Sequence, residues 1–334
     1  MEEAECIFCN KKSPQIVIEE EGYQCRKCPS CDLIYISNRP SLEEIERIYN
    51  KDRAIRSAEA SISGFFSRRL HARHHLRMIR KLKRKGSILE IGPAEGSFLY
   101  EARKEGFEAA GIELNHIQAN FIRNRLGLSC EEAPLDASSF GGKKFDIIYH
   151  RDVLSHFYDP IAELQKINER LKDNGFLIFE TGNLGDVEEK YFKLFTSFQL
   201  PDHLFFFSDK NLKELLERTG FELIKTYRYS KVPLLWMMRS LKAKTDRFAS
   251  PREKKDLGKP KLPLSKIKRF IFEYLLRNAF NYFSYLMLYK IGYVIPKKGR
   301  PQSLFVMAHK RKSSIVYGQE KKPHSENNRP KGKS

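Results

Sequence analysis

The central part of this 334-residue chain is predicted to be an α/β unit built on a parallel sheet with helices on both faces. Three observations predict it. Between residues 86 and 229, short apolar runs alternate with amphipathic stretches, and strands that must be covered on both faces need helices between them. One of those runs, in "ILEIGPAEGSFL" (88–99), ends on an acid and turns through two glycines straight into a helical stretch. Hydrophobic residues make up 41% of the chain, and 24 of them are Phe, enough for a sizeable core.

Five of six cysteines lie at the front, as "CIFC" (Cys6, Cys9) and "CRKCPSC" (Cys25, Cys28, Cys31). Paired CxxC motifs suit a tetrahedral ion with bonds of about 2.3 Å. Cys6, Cys9, Cys28 and Cys31 are therefore expected to hold a structural Zn2+, with Cys25 spare, in a zinc-ribbon-like module over 1–38 that ends in a strand at 33–36. Cys130 reads as a small buried hydrophobe. Residues 39–86 form a helical linker or cap. It opens on a Ser41/Glu44 capping box and continues through "HARHHLRMIRKLKRK", whose His71, His74 and His75 are expected on a solvated face.

The core, 87–230, is expected to hold strands at 87–91, 108–113, 128–132, 145–150, 176–181 and 221–229. Helices fill the gaps at 97–105, 116–126, 160–171 and 208–219. A last strand at 302–310 ("QSLFVMAHK", within 302–311) follows a basic, aromatic helical insertion over 231–301, expected as a helical lid over the substrate pocket or a membrane-surface contact, or both. There Ile267, Ile271, Tyr274, Leu275, Tyr282, Leu286 and Tyr289 recur near helical spacing. The polar tail, 312–334, is expected to be disordered.

Charge is segregated along the chain. Residues 239–334 carry 25 Lys and Arg against 6 Asp and Glu, and residues 1–238 carry 36 of each sign. A neutral body with a basic end suggests an anionic partner for that end, a membrane surface before nucleic acid. The start "MEEAECIFCN" lacks a basic, apolar leader, and no run reaches the roughly 18 apolar residues of a span. A cytoplasmic protein is expected, with peripheral contact on the inner face of the membrane.

Small residues in "EIGPAEG" let backbone N–H groups and a helix start face a ligand, and Glu113 ends the second strand 21 residues after Gly92. Five motifs in order, "ILEIGPAEGSFL", "GIELN", "FDIIYHRDVLSHFYDP", "RLKDNGFLIFETGN" and "LPDHLFFFSDKNLKELLERTGFE", resemble the class I S-adenosylmethionine-dependent methyltransferases with an N-terminal zinc-binding segment, a family common in sugar, quinone and lipid modification. The resemblance covers about residues 6–229 and the final strand. It implies a Rossmann-like seven-stranded sheet and S-adenosyl-L-methionine as cofactor. Glu90, Gly92 and Gly96 would surround the methionine part and Glu113 the ribose, with Asp136 or Glu131/Glu132 near the adenine. Ala94 departs from the family's middle glycine.

The same resemblance places His156 (in "DVLSHFYDP") and His203 (in "PDHLFFFS") on the substrate side, with Asp152 and His150 as lesser candidates. A histidine there can take a proton from an acceptor hydroxyl. Leu200 and Pro201 stand where sugar C-methyltransferases of the family carry the partners of their base, so O-methylation of a sugar or membrane-linked acceptor leads. The rivals are sugar C-methylation, RNA methylation through the zinc module and basic tail, and a non-catalytic zinc and membrane adaptor.

Overall fold

The computed structural model describes residues 2–41, 43–44, 52–135, 139–248, 275–276 and 278–311. Its centre is a seven-stranded sheet. In chain order the strands are β4 (Ser87–Ile91), β5 (Glu108–Ile112), β6 (Ser129–Glu131), β7 (Phe145–Arg151), β8 (Leu171–Gly182), β10 (Phe221–Ser230) and β11 (Gln302–Lys310), arranged in space as β10-β11-β8-β7-β4-β5-β6. β4, β5, β6, β7 and β8 pair in parallel. The expected Rossmann-like seven-stranded sheet is present, and its last strand, β11, runs antiparallel to both β8 and β10. The insertion is the reason: it returns the chain from the carboxyl edge, so the last strand enters between two others in the opposite sense.

β4 is buried at all five positions, as a central strand covered on both faces must be. One face carries Ile88, Tyr149, Ile178 and Phe305 and is covered by α2 (Phe65–Ile79) and α3 (Ser97–Lys104). The opposite face carries Leu89, Ile148 and Phe179 and is covered by α5 (Pro160–Arg170) and α6 (Asp209–Arg218). Local chemistry sets the helix starts. Asp159 accepts the Ile161 and Ala162 N–H groups ahead of Pro160, and Ser208 and Asn211 form a capping box. Ser41 and Glu44 also exchange their capping hydrogen bonds.

At the front, β1 (Ile16–Glu20), β2 (Tyr23–Lys27) and β3 (Ile34–Ile36) form an antiparallel sheet. Its fourth strand comes from the core: β9 (Phe205–Phe206) pairs with β3, Phe205 opposite Tyr35. Leu33, Tyr35 and Ile36 share one hydrophobic cluster with Leu89, Phe179 and Leu216. The small module is thus fused to the main core, and the loop after β8 is held between them.

Two expectations fail here. His71 and His75 do not lie on a solvated face; His75 is 0% exposed and His71 6%. Ala72, His75, Leu76 and Ile79 recur at three- and four-residue spacing, so the histidine rides on the stripe that α2 presses against the sheet. The insertion begins with α7 (Val232–Phe248) and continues as helix over 275–276 and 278–285, a π-helical turn at Leu286–Ile291 and a last helical turn at Gly292–Val294. Within it Tyr289 is buried whereas Leu275 and Tyr282 are exposed, so the expected single stripe divides between two faces. Ile267, Ile271 and Tyr274 lie outside the described residues, as does the tail from 312.

Candidate active site

The turn after β4 bends through left-handed backbone at Gly92 (φ 66°), Ala94 (φ 50°) and Gly96 (φ 73°). A Cβ at Gly92 would meet Val153 Cγ2 at 2.9 Å, and one at Gly96 would meet Ile122 Cγ1 at 2.8 Å. Packing alone therefore demands both glycines, whereas Ala94 tolerates its conformation. The Ala94 N–H donates to Glu113 Oε2 at 2.9 Å, and the Asn115 N–H donates to Glu113 Oε1 at 2.8 Å. One carboxylate thus fastens the glycine turn to the start of α4 (His116–Asn124). Each oxygen keeps a further lone pair for a ligand hydroxyl.

Glu90, at the end of β4, is buried, and its Oε2 has no hydrogen-bond partner. Burial, then the nearby carboxylates of Glu95 and Glu113, raise its pKa well above the ordinary value, against the pull of Arg151. A buried, unpartnered acceptor beside a helix start suits a bound cation or amino group. S-adenosylmethionine, whose methionine end carries an amino group and whose ribose carries two hydroxyls, fits this donor set. Asp136 lies outside the described residues. Glu131 accepts the Phe140 N–H and Glu132 pairs with His116 Nδ1 at 2.8 Å.

Beside the turn, a cavity of about 350 Å³ opens at the carboxyl ends of β7 and β8. Asp152, His156, Asn183, His203 and Lys231 line it with Phe195, Phe206, Leu234 and Met238. The rings of His156 and His203 meet edge to face at 4.9 Å. The sequence left these two histidines 47 positions apart; the fold joins them because the Leu204 N–H donates to the Ser155 carbonyl at 2.8 Å and the Ile36 N–H to the Leu204 carbonyl at 2.9 Å. His203 Nδ1 donates to the Phe198 carbonyl at 2.9 Å, which leaves Nε2 as the acceptor. Burial, then His156, lower the His203 pKa to about 3. Burial lowers His156 as well. His150 does not join them: it is fully buried, stacked on Phe179 at 5.0 Å, with both ring nitrogens unpartnered.

Sequence reasoning missed a buried polar network on the other side of the strand ends. His75 Nδ1 lies 2.7 Å from Tyr149 Oη, and its Nε2 lies 2.8 Å from Tyr289 Oη and 2.9 Å from Glu180 Oε2. Tyr289 donates to Glu180 Oε2 at 3.0 Å, and Ser303 donates to Oε1. Against its own burial, His75 and Arg151 hold the Glu180 carboxylate ionised. The helical spacing of His71, His75 and Ile79 was the available signal; the partners on β7, β8 and the insertion had none.

At the front, the sulfur atoms of Cys6, Cys9, Cys28 and Cys31 lie within 4.8 Å of one another, a spacing that fits four thiolates around one tetrahedral ion. Cys25 stands apart, buried, its thiol pushed up to about 12 by that burial. Cys130 is buried on β6.

Residues 65–226 match the family model described as a methyltransferase domain. The tRNA U34 carboxymethyltransferase of Aeromonas hydrophila is 28% identical over 154 residues, 40% of this chain and 44% of that protein. The Vibrio parahaemolyticus enzyme of the same name is 30% identical over 151 residues, 41% and 45%. The chain spans less than half the length of these curated relatives. Among solved structures, coclaurine N-methyltransferase bound to N-methylheliamine and S-adenosylhomocysteine is similar with a TM-score of 0.44 and 12% identity, covering 72% of each chain. A Mycobacterium tuberculosis cyclopropane synthase gives 0.42 and 14%, over 68% of this chain and 78% of that one.

Sheet order, glycine turn and acidic strand ends define a Rossmann-like methyltransferase fold. With the family match, residues 65–226 form a methyltransferase domain of that fold.

Proposed function

We propose that the protein methylates a hydroxyl of a small-molecule or glycoconjugate acceptor, a sugar or membrane-linked precursor, in the cavity that His156 and His203 share, on the cytoplasmic side. The observation that carries this reading is the position of that cavity: Asp152 lines it, and the next residue, Val153, packs against Gly92 of the cofactor turn. Glu113 takes the ribose hydroxyls, Glu90 faces the methionine amino group, and Gly92 and Gly96 keep the turn narrow. Cys6, Cys9, Cys28 and Cys31 hold a structural Zn2+.

The sulfonium supplies a methyl group that is already activated, so the chain has only to align the acceptor oxygen and take its proton, and alignment alone is worth about 7–11 kcal/mol. His203 is neutral at physiological pH and offers Nε2 to the hydroxyl. With a pKa of about 3 it does not ionise the hydroxyl beforehand; it accepts the proton as the oxygen–carbon bond forms. His156, against its ring edge, keeps it in place.

A second reading, methylation of RNA, is favoured by the names of the tRNA-modifying relatives. The apolar lining from Phe195, Phe206 and Leu234, with the cation Lys231 in the same wall, suits a small or lipid-linked acceptor better than a phosphate backbone. Screening acceptors by mass for the gain of one methyl, with His203→Gln alongside, tests the proposal. His203→Gln should bind S-adenosylhomocysteine as the parent does and lose roughly 100-fold or more in turnover. Unchanged turnover, or methylation of tRNA alone, would overturn it.

A further inference from the structure

The outward face of the insertion is apolar. From residue 276 onward, Leu276, Phe280, Phe283, Met287, Ile291 and Val294 follow one another at steps of four, three, four, four and three, and all but half-buried Met287 are exposed, Phe283 by 50% and Val294 by 75%. The inward face of the same run is apolar too: Leu288 and Tyr289 are buried against the sheet. Gly292 closes the contact, since a Cβ there would meet the Ser230 carbonyl at 2.5 Å. A helix apolar all round is normally enclosed. Here one side is covered by the protein, and among the described residues nothing covers the other. Of the chain's 16 exposed large hydrophobic residues among those described, 11 lie between 236 and 294.

Two further features narrow the occupant. Residues 231–301 carry 18 Lys and Arg against 4 Asp and Glu, with Lys290, Lys297, Lys298 and Arg300 beside the apolar run. Trp236 and Tyr293, 65% and 60% exposed, add amphipathic rings of the kind that sit at headgroup level. An RNA partner would account for the cations and not for the apolar stripe. No helix among the described residues is long and apolar enough to cross a membrane. The stripe spans roughly 25–30 Å along its helix, which suits lying in the plane of a bilayer surface.

We infer that the outward face of the insertion docks on an anionic lipid bilayer and presents the mouth of the acceptor cavity to it. α7 joins the two: Leu234, Leu235 and Met238 line the cavity, while Trp236 on the same helix is 65% exposed. This rests on the reading of that cavity as the acceptor site. The ligand class is an acceptor with an apolar anchor in the bilayer and a hydroxylated head that reaches His203.

The test is flotation of the purified full chain with vesicles of phosphatidylcholine alone and with one-third phosphatidylglycerol, together with the emission of Trp236, the sole tryptophan. The parent should float with the anionic vesicles and shift its emission to the blue. Phe283→Glu/Val294→Glu should lower partitioning about tenfold or more while S-adenosylhomocysteine affinity stays at the parent's value. His203→Gln should float as the parent does, so a wrong cavity reading leaves the docking result intact. Absence of flotation, equal flotation of the double variant, a dimer in solution that already shields Trp236, or salt-sensitive RNA retention without lipid binding would each overturn the inference.

Discussion

Replacing Glu90 by Gln should make the cofactor-free protein more stable, and more so as pH rises. Glu90 is 4% exposed, one of its oxygens has no partner, and Glu95 and Glu113 add negative charge nearby. Its folded pKa lies above that of the unfolded chain, so between those values the folded state holds the extra proton and stability falls as pH climbs. The isosteric amide removes the charge, can keep the carbonyl contact with the Leu99 N–H, and turns an N–H toward the acids. Relief of one unpaired buried acceptor is worth about 2 kcal/mol, which for a core of this size is about 4–8 °C in Tm. Thermal scans from pH 5 to pH 9 should show the two proteins close at pH 5 and the variant ahead by that margin at pH 8. With saturating S-adenosylhomocysteine the parent should recover the difference, because the ligand's amino group neutralises Glu90. A variant that is less stable at pH 8, or a margin independent of pH, would mean that Glu90 is satisfied within the fold and is not held ready for a ligand.

Two further outcomes follow from the same packing. Cys28→Ser should abolish stoichiometric zinc by elemental analysis and lower Tm by more than about 10 °C, since the ion in such modules contributes on the order of 10–16 kcal/mol and the module shares the main core; Cys25→Ala should keep one zinc per chain. Tyr289→Phe, by taking a donor from the buried Glu180 and a partner from His75, should cost about 1–3 kcal/mol in chemical denaturation, with little effect on zinc content.

The core strands and helices were legible because each carries its own signal: β11 begins and ends at the residues the apolar run predicts, and Asp159-Pro160 and Ser208 mark their helix starts chemically. The sense of β11 carries no local signal of its own, because strand polarity depends on what the intervening 71 residues do and not on the strand itself. Glu90, Gly92, Gly96 and Glu113 were grouped by the family resemblance, and one turn and two adjacent strand ends bring them together. His156 and His203 could not be joined that way; their meeting depends on a loop pinned between the front sheet and the core. The buried histidines on α2 were misread because Arg73 between them, and Arg77, Arg80 and Lys81 after them, mask the stripe they occupy. Their partners Tyr149, Glu180 and Tyr289 come from three separate elements, and such a tertiary network leaves no local pattern.

Titration calorimetry of S-adenosylhomocysteine against the parent and Glu113→Ala tests most directly whether the acidic strand end and the glycine turn form the cofactor site. The parent should bind at one site per chain, and the variant about 100-fold more weakly, through loss of two charge-assisted hydrogen bonds to the ribose. Equal affinity in both proteins, or no binding by a folded parent, would contradict the account.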